Sequence, residues 1–330
     1  MQSRWSETEV AATVARYIGA GHDRDLAVWV YTTRLLGQDP KLVLHGGGNT
    51  SVKTILPDAD GSPVEVLCVK SSGWDMATIE LAGLPTVRLR PLQALAALPT
   101  LSDDRMVMLQ RRLLMDPGAP NPSIEAILHT ILRFRHVDHT HANAVVSLTN
   151  QPHGEDLIRE LFPDSIVVPY VMPGFDLTKA CDAAFKADPN ADGMILLKHG
   201  IFTWSDDPRA AYEAMIAMVD KAERRLQQGR AMPFKGAATT SGGGVAAVAP
   251  ILRGVVAQPT ATEGQPRRLV FAHRTSDRIM HLCNASAAAD LVSPGSGGGR
   301  RRHRGGAVRR RRHRGVQRRR RIPGPHGRRA

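Results

Sequence analysis

Hydrophobic and polar positions in the first two thirds of the chain alternate with both helical and strand periods, as in a mixed α/β domain. Residues 5–36 have a helical pattern, with Ser6 and Glu9 forming a candidate capping box at its start. Residues 42–53 predict a strand, a tight glycine loop and a second strand, and residues 64–73 predict a strand that runs into a turn of small residues.

Further along, the periods predict a helix over 102–115, a helix over 122–134, a buried strand or strand-to-helix join over 141–149, a strand–turn–strand over 191–204 and a helix over 207–229. These elements place one domain at residues 1–230. We expect 231–290 to be a linker and a partial inter-domain segment with a helix and a short strand after residue 247. Residues 291–330 are an Arg/Gly-rich, low-complexity tail that we expect to be disordered, because it lacks the apolar residues of a core.

Charge is distributed very unevenly along the 330 residues. The formal net charge is +13, but fifteen of the 44 Lys and Arg residues are arginines of the tail, which has no acidic residue. The 29 basic residues before it face 31 acidic ones, so the main domain is nearly neutral. The tail could bind nucleic acid only non-specifically, through its charge. Its abrupt start also suggests a frame-shifted or truncated reading.

Composition argues against a membrane protein, a secreted protein and a disulfide-rich protein. No run of 18 apolar residues appears, so we expect no membrane span, and the N-terminus lacks the apolar core of a signal peptide. A cytoplasmic location is therefore the default expectation. Three widely spaced cysteines argue against a disulfide framework or a thiolate zinc site.

Histidines form the clearest chemical pattern. On an extended strand, His139 and His141 lie on the same side, because side chains two residues apart share a face. His199 follows an apolar strand, where a turn could bring it beside the pair. Three neutral imidazoles that leave one coordination position open are typical of a catalytic metal site. The alternative is that all three are ordinary core or surface histidines.

A carboxylate and two turns of small residues complete the candidate site. Glu125 lies near the start of a predicted helix, where it could be a catalytic acid/base or only a carboxylate favoured by the helix dipole. The turns over 46–51 and 71–73 could form anion-binding nests of backbone N–H groups, although most glycine turns are only turns.

The order of these pieces resembles the class II aldolase/adducin family. The carrying motifs are GGGNTSVK, KSSGWD, NPSIEAILH, VDHTHANAV and LLKHG. The resemblance covers about residues 20–230 and is nearest to the aldolase half of bifunctional rhamnulose-1-phosphate aldolase/short-chain dehydrogenase proteins. It implies an α/β, three-layer domain with a central, mainly antiparallel sheet flanked by helices.

The resemblance also implies roles for individual residues. It implies metal ligation by His139, His141 and His199, with one Zn²⁺ per subunit, and acid/base catalysis by Glu125. His129 matches a family position and is interpreted as a helix-packing or outer-shell residue. The residues implied to bind the substrate phosphate are Gly48, Asn49, Ser51, Ser72, Gly73 and Ser123. Two residues depart from the family pattern: Ile124 replaces a serine, and Lys198 replaces a frequent asparagine.

The implied reaction is retro-aldol cleavage of a ketose 1-phosphate, rhamnulose 1-phosphate above all. The products would be dihydroxyacetone phosphate and an aldehyde such as lactaldehyde. The alternatives are a sugar-phosphate epimerase on the same scaffold, an inactive truncated fragment of a bifunctional aldolase/dehydrogenase, and a non-enzymatic adducin-like protein, which the histidines argue against. The family implies a homo-oligomer, most often a tetramer.

Overall fold

A computed structural model describes residues 1–228 and 245–257 of the protein. Seven strands form one sheet in the order β3-β2-β1-β4-β7-β6-β5. All neighbours are antiparallel except β5 and β6, which are parallel. The strands are β1 (Asn49–Pro57), β2 (Pro63–Val69), β3 (Thr86–Arg88), β4 (His136–Thr140), β5 (Ile166–Val168), β6 (Met194–Leu196) and β7 (Gly200–Ser205).

Helices connect these strands. They are α1 (Glu7–Gly19), α2 (Arg24–Gly37), α3 (Leu89–Leu95), α4 (Asp103–Arg112), α5 (Ala126–Ile131), α6 (Asn143–Thr149), α7 (Gly154–Leu161), α8 (Phe175–Ala187), α9 (Pro208–Gln228) and α10 (Val245–Val255). Short 3-10 helices span Met76–Thr78 and Leu81–Gly83.

The sheet separates two helical layers. In β2, Val66 and Cys68 belong to an apolar cluster that includes residues of α1, α2, α6 and α9. Their neighbours Leu67 and Val69 face the other way, into a cluster with residues of α3, α4 and α5. This alternation is the consequence of the two-residue period of a strand with both faces covered. The predicted α/β fold with helices on both faces of a mainly antiparallel sheet is confirmed.

The N-terminal helical region consists of two helices rather than one. The Ser6 hydroxyl caps α1 by accepting a hydrogen bond from Glu9 N–H at 3.4 Å. The Ser6 N–H donates to the Tyr31 hydroxyl of α2 at 2.8 Å, so a tertiary contact takes the place of the returning bond of a capping box. Asp23 caps the second helix.

Two sequence-based predictions are wrong in detail. Residues 42–48 form turns rather than a strand, because the N–H groups of Leu42 and Val43 donate to the Asp39 carbonyl. The glycine loop therefore precedes β1, as predicted, but it does not follow another strand. The helix predicted over 122–134 is shorter, since α5 spans only six residues. For 141–149, the strand-to-helix join is the alternative that the structure confirms, because β4 ends at Thr140 and α6 begins at Asn143.

The chain divides into two compact units, Met1–Arg230 and Ala231–Ala330. Of the second unit the structure describes only residues 245–257, chiefly α10. The predicted linker, short strand and disordered tail lie almost wholly outside the described residues and stay predictions. Among the described helices, none combines the length and the apolar character needed to cross a bilayer.

Candidate metal centre

Three histidine rings meet at the end of the central strand. His139 lies on β4, His141 lies directly after its end, and His199 lies in the turn between β6 and β7. The ring centroids of each pair are 5.0 to 5.1 Å apart. One nitrogen from each ring lies within 4.8 Å of the other two. Antiparallel pairing of β4 with β7 produces this meeting, because it places the turn that holds His199 beside the end of β4.

Hydrogen bonding leaves specific ring atoms free at this corner. His139 Nδ1 lies 3.1 Å from the Ile201 carbonyl, which can only accept, so Nδ1 carries the proton and Nε2 has a lone pair. His139 Nε2 and His199 Nδ1 are buried without a hydrogen-bond partner. Burial lowers the pKa of both rings, which keeps them neutral, the state in which imidazole binds metals.

Glu125 faces the histidines from the residue before α5. Its two carboxylate oxygens lie 3.5 Å from His139 Nε2 and from His199 Nε2. The side chain is buried, and burial raises the pKa of its carboxyl group. Oε2 accepts a hydrogen bond from the Asn49 amide at 2.7 Å, whereas Oε1 is buried without a partner. A buried carboxylate with one oxygen that has no hydrogen-bond partner thus faces the histidine corner.

The turn that carries His199 constrains the residues on both sides of the histidine. A Cβ atom on Gly200 would lie 2.4 Å from the Thr140 carbonyl oxygen and 3.0 Å from His139 Cε1, so glycine is required there. Lys198 has φ of 62°, a conformation that asparagine adopts more readily than lysine. The Lys198 N–H donates to the Thr149 hydroxyl at 3.0 Å, and its exposed side chain points away from the core.

A buried polar network continues behind Glu125. The Asn49 amide nitrogen also donates to the Ser123 hydroxyl at 3.0 Å, and its oxygen contacts His129 Nε2. On the other side of the ring, His129 Nδ1 lies 2.7 Å from the Ser51 hydroxyl. His129 is wholly buried, and burial lowers its pKa to about 3.

The two turns of small residues converge. A Cβ atom on Gly46 would lie 3.0 Å from the backbone of Gly73, so the two turns are in contact. Lys70 lies between them, with its ammonium group 3.1 Å from the Gly46 carbonyl and 3.2 Å from the Ser71 carbonyl. Burial lowers the pKa of Lys70 to about 8. The junction therefore combines a buried cation with glycine-rich backbone.

The residues predicted to bind phosphate fall into two groups. Ser72 and Gly73 are exposed at the junction, and Gly73 has φ of 79°. Gly48, Asn49, Ser51 and Ser123 are buried, and the last three side chains are bound into the network behind Glu125. Ile124 packs at the edge of an apolar cluster. None of these roles is tested by the contacts alone, so they stay predictions.

Lys70 is the functional candidate that sequence reasoning missed. It lies inside the quoted motif KSSGWD, but no role was assigned to it. A lysine directly after the apolar strand VEVLCV was the available signal, because a charge at the end of a buried strand needs partners.

Comparison with known proteins identifies the family. The profile of the Class II Aldolase and Adducin N-terminal domain matches residues 28–226, more than half of the chain.

This protein belongs to the class II aldolase/adducin family.

Two similar proteins show how much of the chain the family likeness covers. The N-terminal class II aldolase domain of a conserved Thermoplasma acidophilum protein is 38% identical, covers 68% of this chain and 99% of that one, and superposes with a TM-score of 0.61. "Uncharacterized oxidoreductase YuxG" of Bacillus subtilis is 29% identical over 276 residues. The alignment covers 81% of this chain but only 39% of YuxG, so the chain spans well under half the length of that relative.

Class II aldolases use a divalent metal ion, and the histidine corner fits one. The donor set is three imidazoles, two of which have a buried nitrogen without a partner, and a buried carboxylate oxygen without a partner faces them. Unsatisfied buried polar atoms are rare in folded proteins, so their concentration at one point indicates a ligand. Three neutral imidazoles suit zinc and other first-row transition metals better than calcium or magnesium.

Proposed function

We propose that this protein is a zinc-dependent aldolase that cleaves a ketose 1-phosphate, with rhamnulose 1-phosphate as the preferred candidate. The products are dihydroxyacetone phosphate and an aldehyde, which is lactaldehyde for that substrate. The observation that carries this proposal is the approach of three histidine nitrogens to one point beside a buried carboxylate. Membership of the family supports the reaction class.

In this proposal, His139, His141 and His199 hold the metal ion. A bound divalent cation supplies Lewis-acid stabilisation of negative charge on the substrate's ketone oxygen. The hydrogen bond from His139 to Ile201 fixes the ring and directs Nε2 toward the site, as partners of metal-binding histidines usually do.

Glu125 moves the proton of the reaction. Oε2 is held by Asn49, so Oε1 is the oxygen that exchanges a proton with the substrate. Burial raises the pKa of the carboxyl group, which brings it nearer to neutrality, where an acid/base group works best.

The junction of the two turns is the proposed phosphate site. The exposed Ser72 hydroxyl and the Gly73 backbone N–H offer donors, since the Ser72 N–H already donates to the Asn121 carbonyl at 3.1 Å. Lys70 supplies positive charge beneath them. Phosphate held there binds a part of the substrate that does not react, and this fixes the reacting carbons over the histidines.

The test is an assay of the zinc-loaded full chain on ketose 1-phosphates, with release of triose phosphate as the readout. We expect Glu125→Gln to retain its metal and to lose about 100- to 10,000-fold in cleavage rate, the range for removal of an acid/base group. The control is Glu160→Gln, because Glu160 is an exposed carboxylate. Full activity of Glu125→Gln would refute the assigned role.

The same assay separates the main enzymatic alternative. An epimerase on this scaffold would interconvert pentose phosphates and release no triose phosphate. If the protein epimerises a pentose phosphate and releases no triose phosphate from any ketose 1-phosphate, it is an epimerase and not an aldolase.

A further inference from the structure

The network behind Glu125 links four side chains in a single line. From the interior outward these are Ser51, His129, Asn49 and Glu125, and consecutive members are in hydrogen-bond contact. All four are buried, with exposures of 0 to 5%. Such a line is sensitive to the direction of its hydrogen bonds, because each amide or imidazole can donate on one side only if it accepts on the other.

The Asn49 amide determines that direction. Its NH₂ group donates to two oxygens, Glu125 Oε2 at 2.7 Å and the Ser123 hydroxyl at 3.0 Å. The amide oxygen then faces His129 Nε2, which must carry the ring proton. His129 Nδ1 is therefore a lone pair, and the Ser51 hydroxyl must donate to it. The reverse direction would place the Asn49 amide oxygen 2.7 Å from the Glu125 carboxylate oxygen and would turn the NH₂ group away from both of its oxygen partners.

Burial supports a neutral His129. It lowers the ring's pKa to about 3, so the ring has one lone pair and one N–H over the whole neutral range. The ring is also held by Phe202, whose centroid is 5.6 Å away in an edge-to-face arrangement. A side chain with both nitrogens paired and a fixed ring can hold the Asn49 amide in one orientation.

We propose that His129, which donates from Nε2–H to the Asn49 amide oxygen and is anchored at Nδ1 by Ser51, is a positioning residue that orients Asn49 and through it the carboxylate of Glu125. Holding Oε2 in this way leaves Oε1 directed at the histidine corner. The proposal assigns Ser51 to this network, whereas sequence reasoning placed it at the substrate phosphate. It rests on the proposed function only in its catalytic consequence, since the hydrogen-bond direction exists without substrate.

The first arm of the test reads the tautomer directly. Two-bond ¹H–¹⁵N spectra of protein labelled with ¹⁵N-histidine distinguish a protonated Nε2 from a protonated Nδ1, and His129→Gln assigns the signal by its loss. We expect an Nε2–H tautomer from pH 6 to pH 8 in the wild-type protein and in Ser51→Ala, because the Asn49 amide oxygen can only accept, and a mixture of tautomers in Asn49→Ala. A ring protonated at Nδ1 in the wild-type protein, or a tautomer that Asn49→Ala leaves unchanged, overturns the proposal.

The second arm separates positioning from structure. We expect His129→Phe to lower kcat by about 10- to 100-fold, as loss of an outer-shell partner does, with KM within about twofold and zinc content unchanged. His129→Gln, which keeps a donor and an acceptor, should recover most of kcat. The controls are Ser147→Ala and His153→Phe at exposed positions.

Each outcome of the second arm has one meaning. Wild-type kcat in a folded, zinc-loaded His129→Phe overturns the proposal, and so does a loss explained entirely by lost zinc. If the wild-type protein cleaves no ketose 1-phosphate, the proposed function fails, and the tautomer and its dependence on Asn49 still decide whether the network is directed as inferred.

Discussion

His139 and His129 occupy two neighbouring regions that differ in one respect. Both rings are wholly buried, and burial lowers the pKa of both. Both nitrogens of His129 have side-chain partners, whereas His139 has a backbone partner on Nδ1 and none on Nε2. A buried histidine whose two nitrogens are hydrogen-bonded can hold neighbouring side chains in place. A buried histidine with an unpaired nitrogen can bind a ligand.

Asp138 shows how far that rule extends. It lies beside His139 on β4, with its side chain on the opposite face of the sheet, and its Oδ2 is also buried without a partner. Burial raises the pKa of Asp138 to about 7, so much of the group is neutral at physiological pH. An isolated unpaired atom can be accommodated by protonation. Several unpaired atoms close together, as at the histidine corner, indicate a ligand.

Removing the ring with the free nitrogen should have the largest effect. We expect His139→Ala to lose bound zinc and about 1000-fold or more in cleavage rate, because the charge stabilisation supplied by the metal is lost. Metal analysis after dialysis and the triose phosphate assay measure this. His153→Ala, at an exposed histidine, is the control. Zinc content unchanged in His139→Ala would contradict the metal site.

Crowding the corner should have the next largest effect. Gly200→Ala places a methyl group 2.4 Å from the Thr140 carbonyl oxygen, so we expect a loss of about 2 to 3 kcal/mol in the free energy of unfolding, together with weaker zinc binding. Urea unfolding and zinc titration measure the two effects. Gly19→Ala should cost almost nothing, since an added Cβ there meets no atom within 4 Å.

The cation beneath the phosphate junction should matter less. We expect Lys70→Met to raise KM for the ketose 1-phosphate about tenfold, which corresponds to about 1.4 kcal/mol for a charge-assisted hydrogen bond. Zinc content should not change. Lys186→Met removes an exposed lysine and is the matched control. An unchanged KM in Lys70→Met would place the phosphate elsewhere.

The acid sensitivity of the fully paired histidine should give the smallest effect. The pKa of His129 is about 3 in the folded chain and near 6.5 when unfolded, so the unfolded state binds more protons between these values. Stability from this group is therefore complete above pH 6.5 and is lost as the pH falls toward 3. When the pH falls from 7 to 5.5, the free energy of unfolding should decrease in the wild-type protein by about 1 kcal/mol more than in His129→Gln. Urea unfolding of the metal-free proteins measures this difference. Equal losses would contradict a buried, neutral His129.

Much of the fold was predictable from local pattern. The two-residue period of VEVLCV and the 3.6-residue period of 207–229 predicted β2 and α9, because each segment's apolar face is complete within its own sequence. Residues 42–48 were less readable. Leu42 and Val43 are buried, but their N–H groups donate to the Asp39 carbonyl in a turn, a partner that a hydrophobic period cannot indicate. The period also left a strand and a strand-to-helix join open for 141–149, where the structure has a short helix.

For the site, the sequence by itself determined which chemistry was available. Three histidines, a glutamate and two glycine-rich turns appear in a family order that can be found without coordinates. Only the tertiary structure decided which atoms are free and which are occupied. Pairing of β1 and β7 with β4 brings Asn49 and the His199 turn to His139, and the packing of α5 adds Glu125 and His129. The roles of Ser51, His129 and Lys70 follow from contacts across 24 to 80 residues of chain, and such contacts leave no local period in the sequence.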